Sequence, residues 1–409
     1  MNWKIGLQFI IILAISQLLS GQGKTPKVVF VIVDGISADV IEHVSTPNLD
    51  AIAAKGGYTR AVMGGKRDGY SQTPTISAVG YNSLLTGTWV NKHNVLGNDI
   101  KAPNYNYWTL FRFVDAYKPK LKTAIFSTWL DNRTKLIGEG LAETGNIQLD
   151  YHFDGFELDT IAFPNSEDRF LRIDEHVITE ASRYIKADSP DLSWVYLQHT
   201  DNMGHQYGDS PQFHEAVLQM DDQIGRLWKA ILYRKERHNE DWQLYITTDH
   251  GRDKETGKGH GGQSDRERLI WIVTNTKNLN SYFTEKKPGI VAIAPTILRE
   301  MHIRPTKAQL WEMDGIPLTG KISLANLQAV RQDNTLHLTW DSYANKGKLN
   351  VYLTTTNTFS EGGKDTYLKM GRVDLSAGKA KIDISGLPAS FYKVVLEGKY
   401  NSVNTWVVD

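Results

Sequence analysis

Cysteine is missing from this 409-residue chain. Disulfides, thiolate metal sites and a lipid-anchored cysteine are therefore excluded, while the redox compartment stays open. An excess of either charge is missing too: 46 Lys and Arg balance 46 Asp and Glu, for a formal net charge of zero. That balance gives no hint of a nucleic-acid groove or a polybasic membrane patch, so neither partner is expected. The glycine-rich run Thr256–Gly262 lacks the Lys-Ser/Thr ending of a phosphate-binding P-loop. Internal repeats and low-complexity tracts are also absent.

What is present begins with an address. Lys4 precedes a 15-residue run, Ile5–Leu19, that is apolar apart from Gln8, Ser16 and Gln17, and Ser20-Gly21-Gln22-Gly23 follows. A short positive start, an apolar run and small residues make a secretory signal peptide over residues 1–22. The rival is a membrane anchor, but a spanning helix wants about 20 apolar residues. An exported protein is expected, periplasmic or extracellular, with no stable membrane span after cleavage.

The remaining length suits one large domain and one small one, and 41% hydrophobic residues can bury a sizeable core. Residues 27–34 (Lys-Val-Val-Phe-Val-Ile-Val-Asp) read as a strand covered on both faces, ending in a carboxylate. Thr46-Pro47 opens a helix with a Thr cap, closed by Gly56. Leu121–Phe126, Leu192–Leu197, Trp242–Thr248 and Leu269–Val273 read as further strands, and Ser210-Pro211 caps a long amphipathic helix. Strands alternating with helices predict an α/β catalytic domain over 23–320, its central sheet mainly parallel and flanked by helices. After Pro317 short alternating runs separated by turns predict an all-β sandwich over 321–409. Leu387-Pro-Ala-Ser-Phe-Tyr392 resembles the corner tyrosine of fibronectin type III domains, and Trp340 their core tryptophan. That resemblance implies a spacer, a substrate-shaping unit or a dimerisation module, so a homodimer is one expectation.

The stretch Pro74-Thr-Ile-Ser77 to Gly87 delivers a hydroxyl to a helix's first turn. Pro74 keeps the approach extended, small and apolar residues follow Ser77, and Gly87 is a natural stop. A helix start favours negative charge, yet serine still needs a base or a metal to become a nucleophile. Three strand runs end in carboxylates, at Asp34, Asp201 and Asp249, and ligands of open α/β sheets bind at those strand ends. Asp201 and His205 share a face if the segment turns helically. His250 adjoins Asp249, and His260 lies among glycines where little bulk blocks approach. Three aspartates and three histidines without cysteine suit divalent ions such as zinc or manganese.

Together these motifs resemble the alkaline phosphatase superfamily, most closely its nucleotide pyrophosphatase/phosphodiesterase branch. The resemblance covers roughly residues 27–320. It rests on Asp34, on Pro74-Thr-Ile-Ser77 through Thr86-Gly87, on Asp201-Asn-Met-Gly-His205, on Asp249-His250-Gly251 and on His260. It implies two divalent cations, with zinc expected. Asp34, Asp249, His250 and Ser77 would contact one, and Asp201, His205 and His260 would hold the other. Ser77 would be the nucleophile of a phosphate-ester hydrolase acting on a small molecule, and Asn98 would hydrogen-bond a phosphate oxygen. A neutral amide suits a singly charged diester. Monoesters or phosphonates are the alternative substrates, and a silent domain that binds through its β unit is the non-enzymatic one. Two departures stand out. Val79-Gly80-Tyr81 replaces the Pro-Asn-His of the diesterase branch, and Ser-x-Val-Gly resembles the phosphoglycerate mutase branch. Thr46-Pro-Asn-Leu-Asp50 resembles sulfatases, but the Cys/Ser-x-Pro-x-Arg signature that they modify is missing.

Overall fold

The computed structural model of the chain describes residues 24–408, so the expected signal peptide lies outside the described residues. Seven strands form the first sheet: β1 Thr25–Val33, β2 Gly57–Val62, β3 Thr123–Ser127, β4 Tyr151–Phe153, β5 Leu192–Leu197, β6 Glu240–Thr247 and β7 Leu269–Thr274. Their order is β2-β7-β6-β1-β5-β3-β4. From β6 to β4 every pairing is parallel, whereas β7 and β2 add an antiparallel edge. The sheet is thus mostly parallel, as the alternation of elements implied.

β1 explains its own sequence. Val28, Phe30 and Ile32 enter one apolar core, while Val29, Val31 and Val33 enter another on the opposite face. A strand with two cores has no polar face, so it reads as a continuous apolar run. The helix Ser77–Thr86 packs on the first face and is buried at all ten positions. On the second face lie Arg169–Asp188 and the long helix Pro211–Arg237, which Ser210 caps by accepting from Phe213 N at 3.2 Å.

One cap differs from expectation. Thr46 occupies the N-cap position of the helix Pro47–Ala53 but makes no side-chain cap bond. The Asp221 carboxylate does that work from the long helix, accepting from Asn48 N at 3.0 Å and Leu49 N at 2.9 Å. A carboxylate at a helix start also meets the positive end of its dipole.

The C-terminal strands are β8 Leu324–Gln332, β9 Thr335–Ser342, β10 Lys348–Thr354, β11 Leu368–Asp374, β12 Lys379–Asp383, β13 Phe391–Glu397 and β14 Ser402–Val408. They form two antiparallel sheets, β11-β10-β13-β14 and β12-β9-β8. Inward residues of both, such as Leu338, Trp340, Val351 and Val394, belong to the same core that covers one face of the first sheet. The seam is also polar. Lys92, whose side chain is fully buried, donates to Glu312 O at 2.7 Å, Asp314 Oδ1 at 2.6 Å and Asn404 Oδ1 at 2.9 Å. Tyr70 stacks on Trp406 with ring centroids 5.5 Å apart. Among the described residues no helix is long and apolar enough to cross a membrane.

Candidate active site

Asp34 follows β1, Asp201 and His205 lie on the helix His199–Tyr207 after β5, and Asp249 and His250 follow β6. These are carboxyl ends of adjacent parallel strands, the edge where open α/β sheets gather ligands. The helix Ser77–Thr86 brings its first residue to the same edge. Gly80 lets it come close, because a Cβ there would sit 2.9 Å from the Asp249 backbone oxygen.

Asp34, Asp249 and His250 place ligand atoms within 4.8 Å of one another, and so do Asp201, His205 and His260. In the first group His250 Nε2 lies 3.3 Å from Asp34 Oδ1, 3.2 Å from Asp249 Oδ2 and 3.4 Å from Ser77 Oγ. His250 Nδ1 is 2.9 Å from Gly251 O, which fixes the ring proton there and turns a bare Nε2 toward the carboxylates. The other oxygen of each carboxylate is satisfied. Asp34 Oδ2 accepts from Tyr196 at 2.7 Å and from Tyr81, and Asp249 Oδ1 accepts from Gly35 N at 3.2 Å. Asp34 Oδ1 and Asp249 Oδ2 are buried with no hydrogen-bond partner. Two partnerless carboxylate oxygens and an imidazole nitrogen whose one neighbouring hydroxyl is that of Ser77 thus converge, an arrangement that a divalent cation satisfies.

Electrostatics agree. Burial, then the Asp201 charge, pushes the Asp34 carboxyl up to about 7 against the pull of the two tyrosine hydroxyls. Burial, with the Asp34 charge beside it, raises Asp249 well above the usual carboxylate range. Burial and the neighbouring His260 hold His250 well below the ordinary imidazole value. Two adjacent buried carboxylates disfavour each other's charge, and a bound cation would remove that cost.

The second group is more open. His205 Nε2 lies 3.3 Å from Asp201 Oδ2 and 3.1 Å from His260 Nε2. His260 stacks on His250 with centroids 3.7 Å apart, and its Nδ1 is 2.9 Å from Thr75 O. Asp201 Oδ1 is held by Arg252, whose buried guanidinium also donates to Asp201 O at 2.7 Å, Gly35 O at 2.9 Å and Lys258 O at 2.9 Å. Burial alone would raise the Asp201 carboxyl, but the His205 hydrogen bond and the Arg252 charge hold it well below the usual range.

Thr75 and Asn98 have separate tasks. Thr75 Oγ1 is spent on the His260 loop, donating to Gly262 O at 2.8 Å and accepting from Gly261 N at 3.0 Å. Asn98 Oδ1 accepts from Ala78 N at 3.0 Å, which holds the amide beside Ser77. Arg67, in the turn that precedes the Ser77 stretch, is paired with Asp265 at 2.7 Å. Three partners of the site carry no motif in the sequence: Tyr81 and Tyr196 on Asp34, and Arg252 on Asp201. The signal for Arg252 was Gly204, where a Cβ would sit 2.2 Å from its guanidinium carbon.

Residues 28–296 match the family described as type I phosphodiesterase / nucleotide pyrophosphatase. The chain belongs to that family. Among curated relatives, an uncharacterized pyrophosphatase/phosphodiesterase of Schizosaccharomyces pombe is 25% identical over 265 residues, 62% of this chain and 48% of the relative. Human ectonucleotide pyrophosphatase/phosphodiesterase family member 7 is 25% identical over 246 residues, 57% of this chain and 49% of the relative. This family member therefore spans about half the length of those relatives. Among solved structures, the phosphonate monoester hydrolase of Agrobacterium radiobacter shares the fold, with a TM-score of 0.51 at 13% identity over 78% of this chain and 89% of that one.

Proposed function

We propose that the chain is an exported, two-metal hydrolase of small-molecule phosphate esters, of the phosphodiesterase type, working through a phosphoseryl intermediate on Ser77. The observation that carries this reading is the pair of partnerless oxygens, Asp34 Oδ1 and Asp249 Oδ2, facing His250 Nε2 with Ser77 Oγ 3.4 Å from it. Asp34, Asp249 and His250 would hold one cation beside Ser77. Asp201, His205 and His260 would hold the second, and this nitrogen–oxygen donor set suits zinc. When bound, the pair supplies a lowered hydroxyl pKa and positive charge for in-line phosphoryl transfer.

The chain's own groups do the rest. Ser77 Oγ bonds to phosphorus as one ester oxygen departs, the serine proton leaving with that alcohol. Water later cleaves the Ser77–phosphorus ester, which still carries the other ester group, to restore the hydroxyl and release a monoester. The helix start beneath Ser77 favours the negative charge that develops. Asn98, its carbonyl fixed by Ala78 N, presents its amide NH2 to a non-bridging oxygen, and a neutral donor suits a diester. Export draws support from the "ectonucleotide" name of the human relative.

The C-terminal sheets are read as a fibronectin type III-like sandwich. Tyr392 hydroxyl donates to Leu387 O at 2.6 Å and accepts from Ala389 N at 3.0 Å, as a corner tyrosine does. Trp340 Nε1 donates to Leu375 O at 2.8 Å inside the unit.

The test is Ser77→Ala assayed on bis-aryl and mono-aryl phosphates, with bound metal counted. Loss of diester hydrolysis with metal retained is the expected result. Equal rates for the variant and the unaltered chain would remove the proposal.

A further inference from the structure

Where the C-terminal strands meet the first region, a cavity of about 1050 Å³ is lined by Arg299, His302, Arg304, Lys321, Lys399 and Tyr400 among others, and no described lining residue is acidic. Five cationic or titratable basic side chains share one hollow in a chain of zero net charge. Arg299 hydrogen-bonds carbonyls rather than a carboxylate, donating to Tyr400 O at 3.1 Å, Lys321 O at 3.2 Å and Thr319 O, and the one acidic charge that acts on it is that of its neighbour Glu300. Of the two carboxylates nearby, one is held by a neutral hydroxyl and keeps its charge beside Arg299, and the other is ion-paired, so the positive excess of the hollow rests on Arg304, Lys321 and Lys399. Glu300 accepts from Thr319 Oγ1 at 2.5 Å, and Glu397 pairs with Lys307 at 2.8 Å. Lys399 and Lys321 stand 5.2 Å and 5.9 Å from the centre of the Tyr400 ring, which is 37% exposed.

The cavity is separate from the Ser77 edge. Its wall residue Gly315 donates to Gly87 O at 3.1 Å, and Gly87 closes the helix that Ser77 opens. At 1.5 Å per residue that helix keeps the two places roughly 15 Å apart. Ligand cavities favour such seams, and concave positive surfaces concentrate anions.

We propose that this seam is a second ligand site, for a small organic phosphate or sulfate whose ring lies on Tyr400 and whose oxyanion is held by Arg304, Lys321 and Lys399. The site stands independently of the role given to Ser77. Isothermal titration of the metal-loaded full chain tests it, with ribose 5-phosphate and glucose 6-sulfate as probes that separate the two sources of the oxyanion. Saturable binding of either probe is expected. The surface double variant Arg304→Ser/Lys399→Ser should weaken it at least tenfold, while His205→Ala leaves it unchanged. Binding that survives the double variant but disappears in His205→Ala would place the probe at the catalytic edge and overturn the proposal, as would no binding of either probe at millimolar concentration. Inorganic phosphate binding as tightly as ribose 5-phosphate would overturn the role of Tyr400.

Discussion

The two ligand groups beside Ser77 are alike in size and unlike in setting. Asp34, Asp249 and His250 are sealed, with the His250 side chain at 0% exposure, whereas His205 in the other group is 49% exposed. The sealed group carries two carboxylates, and tyrosine hydroxyls tie one of them. The open group carries one carboxylate, already paired with Arg252. A cation in the sealed group would offset two buried charges, while in the open group it would compete with a fixed guanidinium. On the proposed two-metal reading, the first group would bind its cation tenaciously and the second exchangeably.

The largest effect that sharpens this contrast is removal of a sealed ligand. Asp249→Asn should cut kcat/KM on a bis-aryl phosphate by roughly a thousandfold, a loss of several kcal/mol of charge stabilisation. Added zinc should not restore it. His205→Ala should also lose activity yet recover as zinc is added, and equal rescue of both variants would erase the contrast.

Next in size is Arg252→Met, which leaves Asp201 and three carbonyls without their buried donor. Breaking such a pair costs about 3–5 kcal/mol, read as a lower denaturant midpoint of the metal-free protein. A change within error would show that Arg252 is dispensable to the open group.

Tyr81→Phe should be smaller and selective. Removing a hydrogen bond that orients a metal-binding carboxylate weakens metal affinity by about 10–100-fold. Competition with a chelator should show this in the tighter of two binding steps only. An effect confined to the weaker step would reverse the assignment of the two groups.

The smallest effect is a control remote from both groups. Burial opposes ionisation of Glu240, but Arg234, Trp242 and Ser189 hold its carboxyl down to about 2 from an ordinary 4.5. A lowered carboxyl adds stability that is present above about 4.5 and lost as pH falls through about 2. Glu240→Gln should flatten that acid limb of the unfolding curve without touching metal binding.

Much of this was legible in the residues, for physical reasons. β1 announces itself because both of its faces are buried, and the aspartates stand where such strands end. The Asp201–His205 spacing is helical, and the helix His199–Tyr207 places the two imidazole and carboxylate groups together. Other elements left weaker marks. β8 is poorly marked in the residues because a bulge between Ala325 and Gln328, with Asn326 at φ 54°, breaks its alternation. The edge strand β2 is short and half exposed, so neither a continuous nor a cleanly alternating run marks it. The helix Arg169–Asp188 does carry a periodic apolar face, Ile173, Val177, Ala181 and Ile185, which is legible in the residues. The Tyr81 ring is core packing, as its place on a buried helix implies. Only its hydroxyl, directed at Asp34, belongs to the site, and one-dimensional spacing does not say where a hydroxyl points.

The most direct measurement is zinc content per chain for the unaltered protein and for Asp249→Asn. Two ions falling to one, with the survivor removed by mild chelation, is the predicted result. A single ion in the unaltered chain, or two in the variant, would contradict the account of two separate cation sites flanking Ser77.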